Sequence, residues 1–256
     1  MKILAASLFI TPFLTSFVLL GKTPATLGVT AEQPTATFHW STTGSTPSLT
    51  EKEKFKDGSY ANYTDAELLP IIIQEAMDQW NTVRGSFLRF ELKSETGDLS
   101  ANNADKENNI IVKKVPSAST AAYASPEKGD GSANITDCDI VINNTKVTVG
   151  SLLETVTHEI GHCVGLGHPH TNYGAIMSYS RTGRSYRLSA DDKAGAVYLY
   201  PDPNYVSSDS KELVGCGVIH GAHEFESAGL WLYVALVLPV FVSLYLRQNG
   251  RGRRGI

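Results

Sequence analysis

Apolar residues recur at two periods along the 256-residue chain, and the two periods outline alternating helices and strands. Leu69, Ile72, Ile73, Ala76, Trp80 and Val83 fall at helical spacing and predict an amphipathic helix. Thr64 and Glu67 have the spacing of a capping box, but Pro70 suits a first helical position, so the main helix is expected to begin at Pro70. Residues 36–40, 87–92 and 109–115 read as strands, and 139–143 as a short buried one. Residues 119–125 are small and apolar and stop at Pro126; residues 125–134 are rich in Gly, Asp and Ser and read as a loop. Leu152, Leu153, Val156 and Ile160 give residues 149–166 the apolar side of a second helix. A third is expected at 188–201, with Ser189 as N-cap, Asp192 at N3 facing the helix dipole, and Pro201 as its stop.

Two longer apolar runs lie at the ends. Residues 3–20 follow Lys2 and read as the core of an export signal, with a leader expected over residues 1–31; Val29-Thr30-Ala31 and Ala25 are both candidate cleavage points. Residues 202–227 read as a linker. Residues 228–246 are uncharged, apolar and nineteen long, enough for a transmembrane helix. Arg247, Arg251, Arg253 and Arg254 follow, which marks 247–256 as a basic cytoplasmic tail and puts the rest of the protein outside. Gly215-Cys216-Gly217 ahead of that run also resembles the three-part sorting tags of some bacterial surface proteins, in which the tail is removed. The expected localisation is therefore an exported protein, either membrane-anchored or fixed to the envelope after processing. A net charge of −4, with no basic cluster in the globular part, argues against a nucleic-acid partner.

The candidate chemistry sits on the second helix. His158 and Glu159 are followed by His162 and then His168, in the pattern H-E-x-x-H-x-x-G-x-x-H. Residues four apart share a helix face, so His158 and His162 can offer two imidazoles to one ion. Gly165 can take a positive φ, end the helix and turn the chain so that His168 supplies a third ligand. Three protein ligands leave one position of a Zn2+ ion for water, and Glu159 is placed to take a proton from that water. Cys138 and Cys163 either form a disulfide or stay as two buried thiols. A loop around Asp130 is a weaker candidate for Ca2+.

Ala175-Ile176-Met177-Ser178-Tyr179, following the third histidine, resembles the Met-turn of the metzincins. The order of strand, long helix with Trp80-Asn81 near its end, three strands, zinc helix, Met-turn and a Leu-Ser-x-Asp-Asp closing helix is similar to a matrixin catalytic domain over residues 35–201. The resemblance implies an α+β fold: a twisted mixed sheet with two long helices, the zinc helix, the Met-turn and a C-terminal helix. It implies a zinc endopeptidase acting on protein or peptide substrates, with Met177 as an apolar floor beneath the metal. Tyr179 stands where astacin-like and serralysin-like members carry a tyrosine near the metal. It either stabilises an oxyanion or packs beside the Met-turn. No cysteine precedes Cys138, so latency through a pro-segment thiol is not expected. The alternative is a non-catalytic binding module on the same scaffold.

Overall fold

In the computed structural model, residues 17–41, 45–95, 99, 101, 105–117, 120–129, 133–170, 172–179 and 186–205 are described, and all belong to one compact unit within residues 1–208. The 228–246 run, the arginine tail, most of the expected linker, residues 1–16 and Asp130 lie outside the described residues. Among the described residues no helix is long and apolar enough to cross a membrane.

The chain opens with β1 (Val18–Leu19), β2 (Thr26–Leu27), β3 (Thr35–Ser41) and β4 (Ser48–Thr50), then enters α1 (Asp65–Asn81). Strands β5 (Arg89–Glu95), β6 (Asn108–Lys113), β7 (Ala122–Lys128), β8 (Asn134–Asn143) and β9 (Lys146–Thr148) follow. Then come α2 (Val149–Val164), β10 (Leu166–Gly167) and α3 (Ala190–Leu199). The main sheet has six strands in the order β2-β8-β6-β3-β5, with β7 also paired to β8. All its pairings are parallel except β7 with β8, which is antiparallel. The alternation in β3 buries Ala36, Phe38 and Trp40 in the same core as the apolar face of α1, where Leu69, Ile72, Ile73, Ala76 and Trp80 are all buried. Each of the larger side chains, such as Phe38, Leu69 and Ile72, contributes about 1.5–3 kcal/mol by leaving water.

Three of the differences from the sequence reading have a clear physical cause. Helix α1 begins at Asp65, not Pro70, because the capping box is complete: Glu67 N–H donates to Thr64 Oγ1 and Thr64 N–H to Glu67 Oε2. Pro70 then costs one intrahelical bond rather than a whole turn. Strand β7 runs through Pro126, which pairs opposite Cys138. An edge strand tolerates a proline because one side of it makes no ladder. Strand β8 is ten residues long, extended by pairing with β2 and β7 beyond the five residues, 139–143, that read as a strand in sequence.

Helix α2 is fixed at both ends. Thr148 Oγ1 accepts from Ser151 N–H at its start, and the parallel pairing of β4 with β9 holds Thr148 itself. At its end Gly165 adopts φ 107°, a left-handed conformation that favours glycine, and its N–H returns to carbonyls of the last turn. A disulfide joins Cys138 of β8 to Cys163 of α2 across a separation of 25 residues. A loop of this length constrains the unfolded chain by about 3.5 kcal/mol in the chain-entropy picture. The double variant Cys138→Ala/Cys163→Ala is therefore expected to lose about that much stability in urea titration; a loss below about 1 kcal/mol would contradict it.

Strand β8 also carries two fully buried carboxylates, Asp137 and Asp139, beside Asn109. Asp137 accepts from Lys106 N–H, but burial, then the charges of Asp139 and Asp105, push its carboxyl up to about 7. The folded state thus holds a proton that the unfolded chain releases near pH 4, so this group's contribution to stability falls as pH rises from about 4 to 7. Asp137→Asn is expected to unfold at a higher temperature than the wild type at pH 8, by a clearly larger margin than at pH 5. Equal differences at both pH values would refute the assignment.

Candidate metal centre

Helix α2 and the turn after it bring His158, His162 and His168 together, with ligand-capable nitrogens all within 4.8 Å of one another. Their rings lie 4.6–5.0 Å apart between centroids. The protonation state follows from the partners. His158 Nδ1–H donates to the Ile176 carbonyl at 2.7 Å, and His162 Nδ1–H donates to the Leu166 carbonyl at 2.8 Å. A carbonyl oxygen only accepts, so the proton of each ring sits on Nδ1 and the lone pair on Nε2. Burial holds the His162 imidazole below its ordinary pKa and so keeps it neutral; the Leu166 carbonyl opposes the shift and His168 adds to it. His158 Nε2 lies 3.0 Å from His168 Nε2. A tetrahedral zinc with bonds of about 2.0–2.1 Å needs its nitrogens about 3.4 Å apart, within reach of small ring rotations. Three converging imidazoles, two of them with rings fixed on carbonyls, are a donor set that fits Zn2+.

Glu159 follows the first histidine and is buried to 8% exposure. Its Oε2 accepts from the backbone N–H of Ala124 at 2.8 Å, which ties the helix to the edge strand β7. Nothing in the sequence marks Ala124 for this part, because its contribution is a backbone group.

Met177 is buried, and its side chain presses on Gly161. A β-carbon at position 161 would meet the Met177 sulfur and would lie 2.9 Å from the Trp80 ring. The glycine inside the H-E-x-x-H segment is therefore what allows the Met-turn and α1 to close on the zinc helix. Trp80 completes that contact by donating Nε1–H to the Thr157 carbonyl at 3.0 Å.

The Met-turn is held from α3. Asp192, 1% exposed, accepts from Ile176 N–H and Met177 N–H as well as from the N–H and hydroxyl of Ser189. In sequence Asp192 reads as a helix-cap residue only; its grip on the Met-turn depends on a tertiary contact. Tyr179 is 74% exposed, with its ring 5.6 Å from that of His168 and 6.0 Å from that of His170. It stands at the rim of the centre, not under it.

A mixed α+β domain with three histidines converging from an H-E-x-x-H helix, over a buried methionine turn, defines a metzincin-type metallopeptidase domain. The matrixin profile (Peptidase_M10) matches residues 53–201, more than half of the sequence, and the chain belongs to the matrixin family. Metalloendoproteinase 1-MMP of Arabidopsis thaliana is 29% identical over 194 residues, which cover 72% of this chain. The chain spans about half, 52%, of that relative's length. Among solved structures, the GM1-bound form of the ECX AB5 holotoxin aligns with 75% of this chain and 91% of its own, at 11% identity and a TM-score of 0.42.

Proposed function

We propose that this chain is an exported zinc endopeptidase that hydrolyses peptide bonds of proteins outside the cytoplasm. The observation that carries the reading is the convergence of His158, His162 and His168, two of them with Nδ1 fixed on a carbonyl, beside a buried Glu159 carboxylate. A zinc ion bound by these three imidazoles supplies Lewis acidity and makes water acidic enough to be deprotonated near neutral pH. The other parts of the reaction fall to the protein. Glu159, oriented by Ala124 N–H, takes the proton of the attacking water and returns it to the leaving amine nitrogen. Tyr179, beside His168, donates its hydroxyl to the oxyanion. Met177, buried against Gly161 between two residues of the metal motif, gives that side of the helix an apolar backing. Strand β7 pairs only with β8 among the described residues, so its other edge can take an extended peptide as an added strand. The strand that would receive the substrate is therefore Ala122–Lys128.

The apolar run at 228–246 and the arginines after it support attachment of the protein to a membrane through its C-terminal end, whether kept or processed. The test is cleavage of a quenched peptide library by the full chain. Cleavage is expected to stop when a chelator strips zinc and to return when zinc is restored. Absence of cleavage by the folded, zinc-loaded chain would favour a binding module.

A further inference from the structure

Residues 17–29 fall in the segment expected to be an export leader, yet they pack on the turn that delivers the third histidine. Strand β1 pairs antiparallel with β10, which immediately precedes His168. Leu20 N–H donates to the Gly165 carbonyl at 2.8 Å. The Ala25 carbonyl occupies the place a β-carbon on Gly165 would take, and the Leu19 carbonyl oxygen lies 2.7 Å from where one on Gly167 would be. Both glycines thus admit this segment's backbone, besides the helix exit that Gly165 provides. Ala25 and Leu27 are buried at 1% and 3% exposure. Leu27 N–H donates to the Tyr200 hydroxyl, which donates to the carbonyl of Val164, the last residue of α2. Phe17 packs on Tyr198 of α3, with ring centroids 5.5 Å apart.

We infer that residues 17–29 are a permanent strap of the mature protein that positions the Gly165–His168 turn, and that any leader is removed ahead of residue 17. Cleavage after Ala31 would strip two core side chains and remove the N–H donor from the Gly165 carbonyl, three residues before a metal ligand. Loss of a ligand's direct hydrogen-bond partner costs about ten- to a hundred-fold in metal affinity, and loosening the turn that carries His168 is expected to act at the lower end of that range.

The positioning part rests on the zinc reading of His168; the processing part does not. The N-terminus of the exported full chain, read by intact mass and N-terminal sequencing, is expected at or before residue 17. A zinc-binding chain that begins beyond residue 27 would overturn the inference. In the full chain, Leu20→Pro removes the donor to Gly165 and is expected to speed zinc release to a chromophoric chelator about ten-fold, whereas Leu20→Met, which keeps the N–H, should not. If Leu20→Pro does not fold, Tyr200→Phe keeps the ring, cuts the link to Leu27 and should show the faster release. Unchanged release in a folded variant of either kind would refute positioning. A wild-type chain that binds no zinc would refute the proposed function instead, and the N-terminal readout would still decide whether the strap is retained.

Discussion

Replacing Glu159 with alanine is expected to lower kcat/KM on a peptide substrate by about 10²–10⁴-fold while zinc stays bound, since the three histidines are untouched. That range corresponds to about 2.7–5.5 kcal/mol of lost transition-state stabilisation. Alanine also removes the acceptor for Ala124 N–H, so part of the loss would come from a displaced edge strand. Glu159→Gln separates the two effects. The amide oxygen still accepts from Ala124, but the side chain cannot take a proton from water at neutral pH. Both variants are expected to be inactive, with Gln keeping the stability of the wild type and Ala losing about 1–3 kcal/mol for a buried donor left without its acceptor. Appreciable cleavage by the Gln variant, with zinc content equal to wild type, would remove Glu159 from the role of base.

The zinc helix was the most legible part of the chain because its chemistry is local. Histidines four apart share a helix face whatever surrounds them, and Gly165 could be read as the helix exit from its place after the last periodic residue. Strands β3, β5 and β6 are legible to within a few residues, whereas β1, β2, β4, β9 and β10, two or three residues each, are too short to show a period. Other differences lie where tertiary pairing overrides local signals, as with Pro126 inside an edge strand and the polar first half of β8 drawn into the sheet by β2 and β7. Three features of the site carry no sequence signal of their own. Ala124 acts through its N–H, Gly161 through the absence of a side chain, and residues 17–29 through a position that composition alone assigns to a leader. Asp192 is the intermediate case. Its cap was readable from Ser189 three residues earlier, but a cap uses only part of a carboxylate, and the remaining capacity belongs to a turn fifteen residues away.

Asp192 therefore offers the sharpest test of how the centre is supported. Asp192→Ala withdraws the acceptor from four donors at once: the N–H groups of Ser189, Ile176 and Met177, and the Ser189 hydroxyl. A buried donor left unsatisfied costs about 1–3 kcal/mol, so the Ile176 and Met177 groups alone set an expected loss near 4 kcal/mol. Ser189→Ala removes the other half of the capping box and leaves the Met-turn bonds in place. Its expected cost is about 1 kcal/mol, the usual value of a lost N-cap. The effect on the metal should diverge in the same way. The Ile176 carbonyl orients the His158 ring, and the Ile176 N–H is held by Asp192, so loosening this turn should weaken zinc binding about ten-fold or more in a competition titration. Ser189→Ala should leave zinc affinity unchanged. Asp192→Asn discriminates further: its amide oxygen can replace one carboxylate oxygen, but its NH2 group would face a backbone N–H, so much of the loss should persist. If Asp192→Ala and Ser189→Ala cost the same in urea titration and bind zinc equally well, the carboxylate is a helix cap and the Met-turn is held by its packing on Gly161 and Trp80 alone.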